Sequence, residues 1–474
     1  MLKIYNTMTR EKEVFNPLEE GIVKIYTCGQ TVYDDVHIGN AKTYSSWDVI
    51  IRYLRYKGYK VLHVQNFTDV GHLTDDADQG EDKIEKRARE RKINPWELVD
   101  NQIEEYWHVI DDLNINRPNI SPRATSLIPE MIDIIKILLE KGYAYEVESN
   151  VYYDVSKFKD YTKLSKLKLD EESAKARVDQ DPLKKSPFDF ALWLNAKKGD
   201  QMHIMRWNSP WGEGYPGWHL ECSVMSMKYL GETIDIHCGG IDHIPTHHPN
   251  EIAQAEAATG KKFVRTWMHA EFITLNGKKM SKSLGNYVTA RELIDQHGGL
   301  VVRMGLVPGH YRSAVDWNPD VIANAKKNVE RIQNSLSLIK DSPGGTKTNL
   351  NQAIEEVQKS FEEAMDDDFN TPKAFATIHD FIKRINSSLD NKKDILNKAR
   401  EVLVELLGVL GLDFTKKKGI DDAKIDGLME LIISLRDKSR KEKNYELSDE
   451  IREKLRSTGI QIEDTEDGPR WKMS

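Results

Sequence analysis

The sequence predicts an α/β protein in which a parallel-sheet domain is split by an insertion and followed by an α-helical bundle and a small C-terminal α+β domain. Three observations predict this arrangement. Short apolar runs alternate with amphipathic helical segments in the first hundred residues. The alternation breaks up from about residue 150 to 200, in a lysine-rich stretch, and resumes from 217. Beyond Asp320, long amphipathic helices replace it.

Length and composition set the limits of the interpretation. The 474 residues allow about three domains, and 39% hydrophobic residues are enough for folded cores. No run of ~18 apolar residues and no N-terminal signal pattern occur, so we expect no membrane association. Three cysteines in so long a chain favour a reducing compartment, the cytoplasm, over a disulfide framework. The net charge of −8 disfavours nonspecific nucleic-acid binding but leaves room for a local basic face.

The first elements predict where a ligand would bind. Residues 21–27 have the apolar pattern of a buried strand, apolar residues recur at helical spacing over 47–54, and 60–67 predict a second strand. Strand, helix and strand within about 50 residues indicate a parallel βαβ unit. Such Rossmann-like sheets bind ligands beyond the carboxyl ends of their strands. Cys28 and the His-Ile-Gly-Asn string at 37–40 are expected there.

Two separated strings predict a phosphate site. The string at 37–40 supplies an imidazole, an amide and, at Gly39, room for close approach. Taken alone, this string is weak evidence for a phosphate site, because such a tetrapeptide more often forms a surface turn. Residues 279–283 read Lys-Met-Ser-Lys-Ser, and two lysines around a small-residue turn can clamp a polyphosphate and the charge that moves onto pyrophosphate. Together the strings predict an ATP-using enzyme with a split site.

Four other residues could form a metal site. Cys28 follows the first predicted strand, Cys222 lies in a later α/β stretch, and His247 and Glu251 are four apart on one helical face. Two sulfurs, an imidazole and a carboxylate suit zinc. Spacing alone does not join Cys28 to Cys222, and a lone cysteine is more often a small buried hydrophobe. Three histidines compete as ligands: His237, His243 and His248.

These motifs carry a family resemblance. The strings at 37–40 and 279–283 resemble the paired signatures of class I aminoacyl-tRNA synthetases. Asn40 stands where the best-known form of the first signature has histidine, and an amide can donate the same hydrogen bond. With the segments at 28–34, 217–222 and 247–251, the chain resembles the cysteinyl-tRNA synthetase family from about residue 2 to the C-terminus.

The resemblance assigns roles to individual residues. It implies that Zn²⁺, one per chain, is held by Cys28, Cys222, His247 and Glu251. It implies that the transferring phosphates are stabilised by His37, Asn40, Lys279 and Lys282, and that ATP is bound by His37, Gly39, Asn40, Asp242 and Lys282. It implies that the amino-acid substrate is bound by Gly29, Thr68, Trp218 and His237. We assign no role to Cys238 or to residues 70–81, which form a longer stretch than in some relatives.

The implied activity is cysteine–tRNA ligation. ATP, with Mg²⁺, and L-cysteine would form cysteinyl-adenylate, and the cysteinyl group would pass to the 3′ end of tRNA(Cys). Zinc binds and deprotonates a thiol, whereas the hydroxyl of serine stays protonated and is a poor ligand. A site built on such a contact can reject analogues by roughly 10⁴–10⁵-fold. We therefore expect no editing domain, and we expect a monomer.

The resemblance also divides the chain into domains. We expect a Rossmann-like catalytic domain in two halves (1–115 and 217–267), a connective insertion near the tRNA acceptor end (116–216), a stem-contact segment with the lysine loop (268–318), a helical bundle (319–412) and an anticodon-binding domain (413–474). Basic residues that could touch RNA phosphates near the C-terminus are Arg436, Lys438, Arg440, Lys441, Lys443, Arg452 and Lys454. A solvated helix face explains them equally well, and Trp471 is more often a packing residue than a base-stacking one.

Two alternatives remain open at this stage. A related ligase could pass activated cysteine to an amino-sugar, but the relatives that do so lack a full anticodon-binding end. A catalytically silent relative could act as an RNA-binding module, but it would be expected to lose the lysine loop or the zinc ligands, and both are present. Cysteine-dependent pyrophosphate exchange separates the silent module from the enzymes, and tRNA charging separates the two enzymes.

Overall fold

The structure is a computed structural model that describes residues 1–74, 80–168, 181–198, 201–280, 287–415, 422–442, 444–458, 460–465 and 468–473. It divides into two units, Met1–Asp413 and Phe414–Ser474. Within the described ranges, no helix combines the length and the apolar character needed to cross a membrane.

A hairpin and a βαβ unit open the first unit. The elements are β1 (Lys3–Asn6), β2 (Glu11–Val14), β3 (Ile22–Thr31), α1 (Ile38–Tyr56), β4 (Lys60–Thr68), α2 (Lys83–Arg91) and α3 (Pro95–Asp112). β3 and β4 are parallel neighbours, with Val23 opposite Val61. Gly58 takes the left-handed conformation (φ +88°) just after α1, where glycine has no steric penalty. The predicted βαβ unit is therefore confirmed.

The insertion is a small antiparallel sheet next to a helix. Its elements are α4 (Ile128–Glu140), β5 (Ala144–Val147), β6 (Asn150–Tyr153), β7 (Phe190–Asn195), β8 (Lys197–Lys198), β9 (Gln201–Met202), β10 (Trp207–Ser209) and β11 (Gly212–Pro216). The five-stranded sheet has the order β10-β11-β7-β6-β5, and β8 and β9 form a separate hairpin. Tyr153 and Phe190, which face each other across β6 and β7, are buried and stacked.

The α/β pattern then returns and completes the parallel sheet. The elements are α5 (Trp218–Leu230), β12 (Ile234–Gly240), α6 (His247–Thr259) and β13 (Val264–Ala270). The sheet order is β13-β12-β3-β4, and every neighbouring pair is parallel. Ile25 of β3 lies opposite Ile236 of β12, and both are fully buried in the core that holds the sheet together. The predicted parallel sheet split by an insertion is confirmed.

Short elements and a helical bundle follow the sheet. They are β14 (Ile273–Leu275), β15 (Lys278–Lys279), α7 (Ala290–His297), α8 (Gly299–Leu306), β16 (Val315–Trp317), α9 (Pro319–Asp341), α10 (Leu350–Met365), α11 (Thr371–Asn386) and α12 (Lys393–Val409). The lysine string begins in β15, at the edge of the three-stranded sheet β15-β14-β16. A loop over residues 342–349 separates α9 from α10.

The second unit is small and mixed. It contains α13 (Asp422–Lys441), α14 (Tyr445–Ser457), β17 (Ile460–Thr465) and β18 (Gly468–Met473). The two strands are antiparallel, with Ile462 opposite Trp471. The predicted α+β character is confirmed.

Candidate active site and metal centre

A cavity of about 390 Å³ opens at the carboxyl ends of β3, β4 and β12. Nine of the residues predicted for the site line it: Cys28, Gly29, His37, Asn40, Thr68, Trp218, Cys222, Asp242 and His247. The cavity therefore brings together residues that lie up to about two hundred positions apart in the sequence.

An irregularity in β3 positions Cys28 and Gly29. The sequence predicts Cys28 just after the strand, but β3 continues to Thr31 and its pairing with β4 shifts between Thr27 and Gln30. Such a bulge turns side chains away from regular pairing. The Gly29 N–H donates to Asn66 Oδ1 at 2.9 Å. A Cβ on Gly29 would lie only 1.7 Å from the Asn66 carbonyl oxygen, so this backbone approach requires glycine.

His37 is held as a neutral hydrogen-bond donor. It is the N-cap of α1, and its Nδ1 accepts from the Asn40 N–H at 3.2 Å. Burial lowers the pKa of His37 to about 4, although Asp242 opposes the shift. Because Nδ1 is an acceptor, the proton of the neutral ring is on Nε2. A Cβ on Gly39 would lie 2.9 Å from the imidazole, so Gly39 leaves space for this ring.

The described residues on either side of the lysine string, up to 280 and from 287, lie against the start of α1 near His37. Ile38 N–H donates to Val288 O at 3.1 Å, and Ala290 N–H donates to Val36 O at 2.8 Å. The methyl carbon of Met280 would be 3.5 Å from a Cβ on Gly39. Lys279 ends β15, but its side chain and the whole of Lys282 lie outside the described residues.

Four donor groups converge at the base of the cavity. Ligand atoms of Cys28, Cys222, His247 and Glu251 all lie within 4.8 Å of one another, and all four residues are buried. A second group shares two of these residues: Cys28, His237, His248 and Glu251. Within the first group, His247 Nε2 lies 3.1 Å from Glu251 Oε1. The predicted ligands therefore form one cluster, and two of the competing histidines border it.

The chemistry of this cluster fits a bound cation. Glu251 is fully buried, burial raises its pKa, and within the described part of the chain neither of its oxygens accepts a hydrogen bond. Burying a carboxylate charge without a partner costs folding free energy, and a bound metal ion would balance that charge. His219 Nδ1 lies 2.8 Å from His247 Nδ1, which leaves Nε2 as the metal-binding nitrogen. Hydrogen bonding to Cys28 lowers the pKa of the Cys222 thiol to about 7, toward the thiolate that metals prefer.

The cavity distinguishes the two groups. Cys28, Cys222 and His247 line it, so an ion held by the first group would face a substrate. His237 and His248 have no exposed surface. The family resemblance places His237 at the substrate, but the residue lies inside β12, which continues to Gly240, with Nε2 3.6 Å from Cys28 Sγ. It is not among the lining residues.

Further residues of the cavity wall were not predicted from the sequence. Asn66 donates from Nδ2 to Thr68 Oγ1 at 3.1 Å and accepts from Gly29, so it joins two predicted substrate residues. The signal that could have identified Asn66 is its position near the carboxyl end of β4, where such sheets bind ligands. His72, Lys83, Thr246 and Tyr287 also line the cavity, as does His243, which the sequence offers only as a competing metal ligand. Lys83 begins α2, and the other residues lie in or beside loops, for which periodicity carries no information.

Comparison with known proteins identifies the family. Residues 14–327 match the family model "tRNA synthetases class I (C) catalytic domain", and 360–415 match the DALR domain. The chain is 45% identical to the cysteine–tRNA ligase of Chlorobium chlorochromatii, with 100% of this chain and 99% of the relative covered. It is 44% identical to a cysteine–tRNA ligase of Thermus thermophilus, with 100% of this chain and 99% of the relative covered. It is 45% identical to that of Thermococcus gammatolerans, with 99% of each chain covered. This chain belongs to the cysteine–tRNA ligase family.

Solved structures support the fold of this family member. Methionyl-tRNA synthetase of Mycobacterium tuberculosis, in complex with methionyl-adenylate, aligns with a TM-score of 0.58 at 15% identity, covering 82% of this chain and 89% of that one. An Agrobacterium radiobacter LeuRS in a ternary complex aligns with a TM-score of 0.62 at 11% identity, covering 85% and 88%. Both likenesses concern the fold alone.

Proposed function

We propose that this chain activates L-cysteine with ATP to form cysteinyl-adenylate and transfers the cysteinyl group to the 3′ end of tRNA(Cys). The observation that carries the proposal is one cavity lined by three predicted metal ligands, Cys28, Cys222 and His247, and by the phosphate-site residues His37 and Asn40. Amino-acid selection and ATP chemistry would then occur side by side. The full-length similarity to ligases of the same name supports this assignment.

Selection of cysteine follows from the donor set. Cys28, Cys222, His247 and Glu251 would hold Zn²⁺, which, when bound, supplies a site for a thiolate that a hydroxyl cannot occupy equally well. Gly29, Thr68 and Trp218 would orient the amino and carboxyl groups of the substrate from the adjoining wall. His237 lies behind Cys28, and we infer that it supports this ligand.

Activation would proceed by direct displacement. A carboxylate oxygen of cysteine attacks the α-phosphorus of ATP, and pyrophosphate leaves with its electron pair. The neutral His37 donates from Nε2 to a phosphate oxygen, while Asn40, Lys279 and Lys282 stabilise the same charge, and Asp242 would contact ATP. Mg²⁺ would accompany the nucleotide. A terminal ribose hydroxyl of the tRNA then attacks the activated carbonyl carbon and loses its proton, and AMP leaves with the electron pair of the broken C–O bond.

The remaining assignments concern the tRNA and the cell. We infer that the insertion at 116–216 guides the acceptor end and that residues 413–474 bind the anticodon. α13 ends with Lys438, Arg440 and Lys441, a charge pattern that suits RNA phosphates. The three cysteines are free thiols, which suits the reducing cytoplasm.

Metal analysis combined with pyrophosphate exchange tests this function. We expect Cys222→Ser to lose the bound zinc together with cysteine-dependent exchange. Cys238→Ser is the matched control, because Cys238 is also a buried free thiol but belongs to neither donor group among the described residues. It should keep both zinc and exchange. Unchanged zinc content and cysteine activation in Cys222→Ser would contradict the proposal.

A further inference from the structure

The stretch at 70–81, which the family motifs do not explain, contributes a side chain to the cavity. His72 stacks on Trp218, with ring centroids 3.9 Å apart and planes only 12° apart. The indole of Trp218 also contacts the ring of His247, at 4.4 Å between centroids. The same tryptophan is therefore in contact with a predicted metal ligand and with His72.

The backbone around His72 is firmly placed. The described ends of the stretch pair with each other: Lys83 N–H donates to His72 O and Thr74 N–H donates to Glu81 O, both at 2.9 Å. Gly71 has a φ of +75°, and a Cβ there would lie 2.4 Å from the Pro216 carbonyl oxygen. Close contact with the segment just before α5 therefore fixes the start of the stretch.

The imidazole of His72 is fixed in orientation as well. Lys83 Nζ lies 2.8 Å from Nε2, and Thr31 Oγ1 lies 2.8 Å from Nδ1. An ammonium group only donates, so Nε2 accepts from Lys83 and the neutral ring donates from Nδ1 to Thr31. Thr31 ends β3, the strand that carries Cys28 and Gly29. The ring that stacks on Trp218 is thus anchored to the strand that bears the metal-site cysteine.

We propose that His72 is a positioning residue, which holds the Trp218 indole in place for the amino-acid substrate. This inference rests on the proposed function, because it takes Trp218 as part of the cysteine-binding wall. His72 itself is almost fully covered, with 7% of its surface exposed. Although it borders the cavity, most of its ring is covered by the indole and its anchors, so we assign its effect on binding to the stacked indole and to cysteine rather than ATP.

Pyrophosphate-exchange kinetics on the full chain test this role. We expect His72→Ala to raise the KM for cysteine about tenfold, the scale of a lost aromatic pair. The KM for ATP should stay within about twofold, because His72 acts on the amino-acid wall. His72→Phe keeps an aromatic face and should recover most of the loss, whereas His72→Leu, with a similar bulk but no ring, should not.

His379→Ala is the control for a merely structural effect. His379 is a half-buried histidine of α11 that contacts the Phe375 ring, and it should leave both KM values unchanged. A wild-type KM for cysteine in His72→Ala and His72→Leu would overturn the inference. An equal increase of the KM for cysteine in His72→Phe and His72→Leu would also overturn it. So would a parallel rise of the KM for cysteine and the KM for ATP in His72→Ala. A wild-type chain without cysteine-dependent exchange would instead contradict the proposed function and, with it, this inference.

Discussion

At the residue scale, the turn from His37 to Asn40 depends on the absence of one side chain. Gly39 lies in the first turn of α1, where its missing Cβ leaves room for the His37 ring and for Met280. Alanine is the better helix former by up to about 1 kcal/mol. The choice of glycine therefore concerns the site rather than the stability of the helix.

We predict that Gly39→Ala slows pyrophosphate exchange without lowering the melting temperature. The added methyl group would displace the imidazole, and a small misplacement at a reacting centre can cost about 10²-fold in rate. Exchange kinetics and thermal unfolding on the same sample measure both quantities. A melting temperature that falls together with the rate would show that the effect is loss of folding.

The protonation state of His37 gives a second prediction. Since burial lowers its pKa to about 4, only about 1% of the ring is protonated at pH 6. Protonation would remove the acceptor that Nδ1 offers to Asn40 N–H, so activity would fall only near the lowered pKa. We expect the kcat ratio of wild type to His37→Gln to stay constant from pH 8 to pH 6. A ratio that falls through pH 6.5 would indicate an ordinary histidine.

Residue identities were more predictable than residue contacts. Cys222, His247 and Glu251 could be proposed as ligands because of their chemistry, but the register of β3 against β12 decides that Cys28 reaches them. The bulge after Thr27 and the burial of His237 depend on the same long-range pairing. His72 could not be predicted, since it contacts Trp218 from a loop that no periodic pattern describes.

At the scale of elements, one buried cation connects α8 to the rest of the first unit. Arg303 is fully buried and donates to Asp48 Oδ2 of α1 at 2.6 Å and to Leu410 O, just after α12, at 3.0 Å. Burial alone would raise the pKa of Asp48, but Arg303 and Arg52 lower it overall. The ion pair is therefore present at neutral pH, and it is lost only as the pH falls below the ordinary carboxyl range.

We predict that Arg303→Met destabilises the first unit by about 3–5 kcal/mol, because it leaves a buried carboxylate with one partner fewer. Urea unfolding at pH 7 measures this. Arg384→Met is the control, because the Arg384–Glu356 pair is exposed (47% and 46%), and its loss should change the free energy of unfolding far less than the loss of Arg303. Equal costs for the two variants would contradict the role given to Arg303.

Element boundaries followed from local pattern where one face is buried. Apolar spacing predicts α1, which buries one face against the sheet, and β4, which is a strand of that sheet and is buried on both faces. The short ladder between 72–74 and 81–83 carries no such pattern, so only the folded chain reveals it.

At the scale of the whole molecule, we predict that the first unit carries out the chemistry and that the second unit contributes to tRNA binding. All described residues of the candidate site belong to the first unit, Met1–Asp413. We predict that a chain ending at Asp413 retains cysteine-dependent pyrophosphate exchange. Charging of tRNA should fall by at least about tenfold, the effect of losing roughly 1.4 kcal/mol of RNA contacts. Loss of pyrophosphate exchange in this shortened chain would show that activation of cysteine also needs the second unit, and would contradict this prediction.

The most direct test of the central claim, that a metal centre selects cysteine at this site, compares cysteine and serine as substrates. Pyrophosphate exchange by the zinc-loaded wild-type chain would be measured with each amino acid over a range of concentrations. We predict a kcat/KM for cysteine roughly 10⁴-fold or more above that for serine, because a thiolate would be a far better ligand for the proposed zinc than the protonated hydroxyl of serine. Serine activation within about tenfold of cysteine would contradict the account, since a site without metal selection separates such close analogues poorly.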